Sequence, residues 1–462
     1  MQRTPKYGRA FDWRLSKARK GPLTAVTQAL VDLSRKEQLE IFEDYLYLSR
    51  KRRKNKMALA KLQLHLVEEL VVAQKAIKFY RDHKEQQTLA LSQATEEQKK
   101  QIEADLEEIE KGLFFHRHFA NCIRMIGDGI AWRALGYDRA ALRLLSQHST
   151  KQEVLSDGLL GELSEWSYAF DAGAGLAIYN VITNCLAFGD VTVVKDDGSV
   201  EIVEVKSSNT KSRRLTRQKQ GMNEVVELLR SGEGEVEEKE RVSLLILDLE
   251  PEHGLDELLK LLQQASKAGF AAGSISNFLY VECIDFRSVS DSDKMKSALD
   301  TARDQHLKIW EKRNDVFVPM ESADFISFSA NCAPFSVFPF PDDICVDLMT
   351  GAKMYVSFLN QSEVAREFER RGWQIVRGPD DIRREVEEKH KRGEEINIEA
   401  LLVVKKNGFS ASVSPGEFTR LMMETLRPKV LIKTREMLRA LGPRATDGFV
   451  LPIFSGEQQM WR

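Results

Sequence analysis

Several things are scarce in this 462-residue chain, and each scarcity narrows its class. Cysteine is one. The five, Cys122, Cys185, Cys283, Cys332 and Cys345, are scattered and odd in number, and no C-x-x-C pair occurs. That pattern suggests neither a disulfide framework nor a zinc knuckle, and it fits a reducing, cytoplasmic setting. Long apolar runs are also missing. None approaches the 18 or so residues of a membrane span, and the N-terminus is basic and polar where a secretory signal would be apolar. A soluble protein with no membrane partner is expected. Net charge is nearly absent at −2, so affinity for a polyanion must come from local patches. Ala172-Gly173-Ala174-Gly175 has a G-x-G look, but no dinucleotide fingerprint follows it, and a turn or close helix packing is the simpler reading.

What is present supports real cores. Hydrophobic residues make up 42% of the chain, and its length suits two or three domains. Residues 1–54 read as a basic N-terminal helical segment. Its first twenty residues interleave Tyr7, Phe11 and Trp13 with seven cationic side chains, which suits either a phosphate-binding arm or a tail docked on its own protein. Arg50 to Lys56 is basic at six of seven positions, so Arg52 and Arg53 are candidate phosphate contacts; a solvated face is the alternative.

Residues 55–150 read as a long helical hairpin and bundle. Leu59, Leu62, Leu66 and Leu70 recur at spacings of three and four, and no Pro interrupts 57–111. One arm is expected over about 57–92. Thr95 is expected to cap a second arm over about 95–111, with Gln98 closing the capping box. The object is either a dimerising coiled coil, giving a homo-oligomer or partner contact, or a rigid arm. His118 and Cys122 share a helix face, but no further ligand has suitable spacing, so core roles are expected.

The stretch that carries chemistry is Gly189 to Gln220. Val191, Val193 and Val194 precede Asp196-Asp197-Gly198; Ile202, Val203 and Val205 follow. Two β-branched runs around Asp-Asp-Gly predict a hairpin. A three-residue loop sets Asp190 opposite Glu204, with Lys206 on the same face. A two-residue loop would set Asp190 opposite Val205 instead. Two carboxylates brought together repel unless a positive charge lies between them, and a hard cation such as Mg²⁺ or Mn²⁺ is the natural one. Such an ion lowers the pKa of bound water and polarises phosphoryl oxygens; Lys206 would orient the water. Other E-x-K triplets, as at Glu97–Lys99, Glu237–Lys239 and Glu387–Lys389, lie in polar stretches with no strand partner.

Asp190, Glu204 and Lys206, spaced GD-x13-EVK, resemble the PD-(D/E)xK nuclease superfamily over roughly residues 155–285. Gly189 stands where the family name has Pro, a substitution that many members tolerate. The resemblance implies a restriction-endonuclease-like α/β core over 151–290 and metal-dependent hydrolysis of nucleic acid, DNA before RNA. It implies a further metal carboxylate in a G-x-x-x-E pattern, which Gly161 and Glu165 match, and Glu165 is preferred to Glu162 on that spacing. It also implies a Gln from the following helix in the site, with Gln218 the best fit. From Lys206 to Gln220, both included, there are six basic residues and no acidic one. Lys211, Arg213, Arg214, Arg217 and Lys219 would grip phosphates. By analogy, the helical arm suggests a sensor in bacterial (antiviral) defence or repair. A rival reading keeps the fold without the chemistry, as a nucleic-acid-binding or scaffold subunit.

Ser231 to Glu240 reads as an acidic loop, Val242 to Leu249 and Phe278 to Phe286 as strands, and Leu255 to Ala268 as an amphipathic helix. Residues 291–462 read as a mixed α/β region without a catalytic constellation. The overall expectation is an α+β or α/β multidomain protein.

Overall fold

A computed structural model describes residues 36–51, 55–146, 159–171, 175–204, 213–236, 240–247, 249–289, 292–322, 332–392, 400–441 and 449–454. The protein is a mixed α+β chain. Among the described residues no helix is long and apolar enough to cross a membrane.

The described residues open with four helices: α1 (Lys36–Lys51), α2 (Lys56–Leu91), α3 (Glu96–Ala134) and α4 (Arg139–Leu145). The expected hairpin arm is present, and its second helix continues unbroken through Gly112 to Ala134. Thr95 and Gln98 form the capping box. Gly112 does not break α3; it faces the Tyr80 ring, which a Cβ would meet at 2.5 Å, so the missing side chain lets α2 and α3 close on each other. Leu59, Leu62, Leu66 and Leu70 are buried, as their spacing requires.

Next come α5 (Leu159–Asp171), β1 (Gly175–Tyr179), β2 (Val191–Lys195), β3 (Val200–Val203) and α6 (Arg213–Ser231). The strands form an antiparallel meander in the order β1-β2-β3. The outer edge of β1 is closed by a side chain. Gln63 of α2 is buried and mimics a strand: Tyr179 N donates to its Oε1 at 2.9 Å, and its Nε2 donates to Ala177 O at 3.0 Å. An open edge is thereby denied to other chains.

Among the described residues the remainder holds three further sheets. β4 (Glu233–Val236) and β5 (Glu240–Leu247) run antiparallel, and β13 (Phe449–Phe454) lies parallel to β5. The expected acidic loop is therefore partly a strand: two glycines and alternating glutamates hide the pattern, and pairing with β5 supplies what propensity does not. The expected strand at 242–249 is β5, yet among the described residues it shares no ladder with the meander. After α7 (Leu255–Ala268), β6 (Phe270–Ser276) and β7 (Leu279–Asp285) join a four-stranded sheet with β8 (Phe317–Glu321) and β9 (Lys353–Asn360), across α8 (Ser292–Glu311) and α9 (Asp342–Thr350). This sheet draws strands from both sides of residue 290. The chain ends with α10 (Gln361–Arg370), β10 (Gln374–Arg377), α11 (Pro379–Arg392), β11 (Leu402–Lys406), β12 (Phe409–Val413), α12 (Pro415–Met423) and α13 (Pro428–Ala440) ahead of β13.

One hydrophobic core joins the helical arm, the meander and the C-terminal elements. His118 and Cys122 belong to it. His118 Nε2 lies 3.0 Å from Thr350 O, and Cys122 Sγ donates to Met349 O at 3.1 Å, so both serve the carbonyls at the C-terminal end of α9.

Candidate catalytic centre at the end of the meander

The loop expected between β2 and β3 is the one observed. Lys195 N donates to Ser199 O at 2.8 Å and Gly198 N to Lys195 O at 2.9 Å. Gly198 has φ +84°, so residues 196–198 form a three-residue turn with Gly in the left-handed position. The ladder then runs in the expected register, from Val194 opposite Val200 to Val191 opposite Val203.

At its far end the ladder departs from that expectation. Asp190 N donates to Val203 O at 2.9 Å, although Val203 is already the partner of Val191. Two residues of one strand thus face one of the other, which is a β-bulge. Its cause is Gly189, at φ +65°. A Cβ there would lie 2.6 Å from Ile202 Cγ2 and 2.8 Å from Val203 O. Proline, locked near φ −65°, has no access to this conformation. The departure from the PD pattern is therefore built into this hairpin. Asp190 and Glu204 arrive together at one end of the meander, but strict alternation no longer fixes their shared face.

Asp190 is also tied to the turn that follows β1. Its carbonyl accepts from Asn180 N at 2.9 Å. Asn180 is buried, and its Nδ2 donates to Phe188 O at 2.7 Å and Gly189 O at 3.2 Å, which fixes the loop entering Asp190. Because both partners are carbonyls, the amide nitrogen must face them. Asn180 Oδ1 is left buried without a hydrogen bond.

The helix before the meander contributes through one face. Glu162 and Trp166 lie one turn apart and both address β1: Tyr179 OH donates to Glu162 Oε2 at 2.5 Å, and Trp166 Nε1 donates to Ala177 O at 3.2 Å. Burial, reinforced by Glu162 and by the charge of Asp190, pushes the Tyr179 phenol well above its ordinary range. It is a proton donor at any physiological pH. Glu165, the carboxylate favoured by the G-x-x-x-E spacing, is exposed.

A second layer, not singled out by the sequence reading, sits on α3. Asp128 is buried and accepts from Asn184 N at 2.6 Å, Asn184 Nδ2 at 3.0 Å and Cys185 N at 3.0 Å. It holds the connection that leads into Gly189. Gly127 and Gly129 flank it because a Cβ on Gly127 would meet Ile182 O at 1.9 Å, and one on Gly129 would meet Ser336 Oγ at 2.5 Å. Two glycines in a helix interior are costly, and that was the available signal of close backbone approach.

Lys206 and Lys211 lie outside the described residues, as do Arg52 and Arg53. Arg213, Arg214, Arg217, Gln218 and Lys219 occupy the first two turns of α6, the helix that follows β3. Arg50 is not a phosphate contact: it donates to Ser336 O, Phe338 O and Phe340 O and pairs with Asp342 at 2.6 Å, pinning α1 to the segment before α9.

Among the described residues, no group of three or more His, Cys, Asp and Glu side chains is placed to hold a metal. The meander end carries two carboxylates, Asp190 and Glu204, and Asn180, bonded through Nδ2 to Gly189 O, has a buried Oδ1 without a hydrogen bond. That all-oxygen set fits a hard divalent cation that keeps several waters, as Mg²⁺ does. Comparison with family models, curated proteins and solved structures gives no match to this chain.

Proposed function

We propose that the meander end is the centre of a metal-dependent phosphodiesterase acting on nucleic acid. The observation that supports this most directly is the β2–β3 pairing, which brings Asp190 and Glu204 to one end of the meander although thirteen residues separate them. Asp190 and Glu204 would hold Mg²⁺ or Mn²⁺. Such an ion supplies a polarised phosphoryl oxygen and an acidified water. Lys206 orients that water, and the basic residues from Lys211 to Lys219 position the phosphodiester; these roles rest on the resemblance and on charge. DNA is preferred to RNA on the same ground.

The test is cleavage of labelled single- and double-stranded DNA and RNA with Mg²⁺, Mn²⁺ or EDTA, comparing wild type with Asp190→Asn and Lys206→Ala. Metal-dependent cutting that falls on the order of 10²-fold or more in either variant is expected.

A second reading, a nucleic-acid-binding or scaffold subunit, is favoured by one feature. The α5 carboxylate nearest the meander, Glu162, is committed to Tyr179, and Glu165 is exposed. Failure to cut any of the four substrates, with binding the same in wild type and Lys206→Ala, would sink the enzyme reading in favour of this one.

A further inference from the structure

The solvent face of α2 is unusual for a helix that buries its other side in the core. Apolar side chains recur along it, with Leu64 40%, Val72 60% and Phe79 64% exposed. Charges of alternating sign sit between them, and Lys61, Glu68, Lys75 and Asp82 are all exposed. The four charges are seven residues apart, two turns of helix, so they lie along one line with the apolar residues.

The order along this line reverses onto itself. Lys61 and Asp82 are equidistant from a point between Val71 and Val72, as are Glu68 and Lys75. Leu64 and Phe79 are equidistant from the same point. A twofold axis there sets each cation against an anion and each apolar residue against an apolar residue. No comparable match arises from parallel alignment in register, which sets Lys61 on Lys61 and Glu68 on Glu68.

We propose that α2 is the interface of a homodimer, in which a second copy of this chain lies antiparallel across it about an axis between Val71 and Val72. Lys61 then pairs with the partner's Asp82, Glu68 with the partner's Lys75, and Leu64 packs on the partner's Phe79. An isologous contact of this kind closes on itself and stops at two copies. The helix measures about 54 Å at 1.5 Å per residue, and one helix face along most of that length buries on the order of 1,000 Å², the lower end for a specific interface. A reversible dimer, with Kd on the order of micromolar and weakened by salt, follows. This inference is independent of the chemistry at the meander.

The test is sedimentation velocity of the full chain from about 1 to 100 μM in low salt. Wild type is expected to shift from monomer to dimer. Glu68→Lys alone, and Lys75→Glu alone, each turn two attractive pairs into two repulsive ones, and each is expected to weaken the dimer at least tenfold. Both positions are exposed, so far-UV circular dichroism should match wild type. Mixing the two variants restores both pairs across a heterodimer, and mass equal to the wild-type dimer is expected. A wild-type chain that stays monomeric at 100 μM overturns the proposal, as do variants that dimerise like wild type. A mixture that stays monomeric overturns the register.

Discussion

The β2–β3 hairpin contains two glycines at positive φ, and they should respond very differently to the same substitution. Gly198, in the turn, has no atom within 4 Å of where a Cβ would sit. Gly198→Ala should cost only the backbone penalty of a left-handed alanine, about 1–2 kcal/mol. Gly189 carries the same penalty and a collision as well. Its Cβ would meet Ile202 Cγ2 at 2.6 Å and Val203 O at 2.8 Å. The carbonyl is backbone within a paired strand, so relief requires moving the strand rather than turning a side chain. Overpacking of this kind costs about 1–3 kcal/mol, which brings Gly189→Ala to about 2–5 kcal/mol. Gly189→Pro, which would recreate the family's Pro-Asp pair, should be at least as damaging, because the ring forbids φ +65°. Urea unfolding followed by far-UV circular dichroism measures all three. The expected order of stability is wild type, then Gly198→Ala, then Gly189→Ala. Equal losses for the two alanines, or a Gly189→Pro protein as stable as wild type, would refute the account of the bulge.

Three more outcomes follow from buried polar groups. Glu424 is 0% exposed, bonded to Arg139, Arg420 (2.9 Å) and Ala333 N (2.8 Å), and removing its charge takes a buried counter-charge from two buried guanidinium groups. Glu424→Gln should cost about 3–5 kcal/mol in chemical denaturation, and a loss under 1 kcal/mol would contradict the assigned network. Burial works against the ionised form of Glu424, yet the two arginines hold its pKa below the ordinary 4.5. Its contribution is therefore complete above pH 4.5 and fades as the pH falls through the lower folded value; a Tm gap between wild type and Glu424→Gln that does not narrow below pH 4.5 would be the wrong sign. Gln63→Leu deletes both bonds to the β1 edge and leaves Tyr179 N without its acceptor, costing about 1–3 kcal/mol and increasing hydrogen exchange at Tyr179; unchanged exchange would show that Gln63 does not close that edge.

The hairpin was legible because its signals are local. Asp196-Asp197-Gly198 defines the loop length, loop length defines register, and the ladder from Val191 to Val203 follows. Thr95 and Gln98 were legible for the same reason, since a capping box spans one helical turn. The bulge at Asp190 was not, because a glycine before a strand does not announce positive φ; only contact with Ile202 and Val203 forces it. Which α5 carboxylate meets Tyr179 turned on helix phase. A G-x-x-x-E spacing leaves that phase open, whereas Trp166, one turn from Glu162 and a large apolar side chain that must be buried, marks the face that meets the sheet. The partners of Gln63 and Asp128 were out of reach, since each acts on backbone more than fifty residues away, although Gly127 and Gly129 marked a close approach at Asp128.

These long-range contacts decide what kind of platform Asp190 stands on. Asp190 itself is held by backbone on both sides, through Asn180 N and Val203 O. The loop that leads to it is clamped by Asn180 and by Asp128, and the strand beside it is closed by Gln63 and Trp166. Each clamp comes from a different element: the meander, α3, α2 and α5. A carboxylate whose only duty was solvation would not need its backbone held on both sides and its neighbouring loop and strand clamped as well. Positioning is what such an arrangement secures, and a metal-dependent reaction requires it, because its rate depends on donors held in place before the substrate arrives. The same construction explains why the helical arm and the meander share one core. α2 and α3 supply two of the four clamps directly, so a load carried by the arm, such as a second copy docking on α2, bears on the elements that hold Asp190.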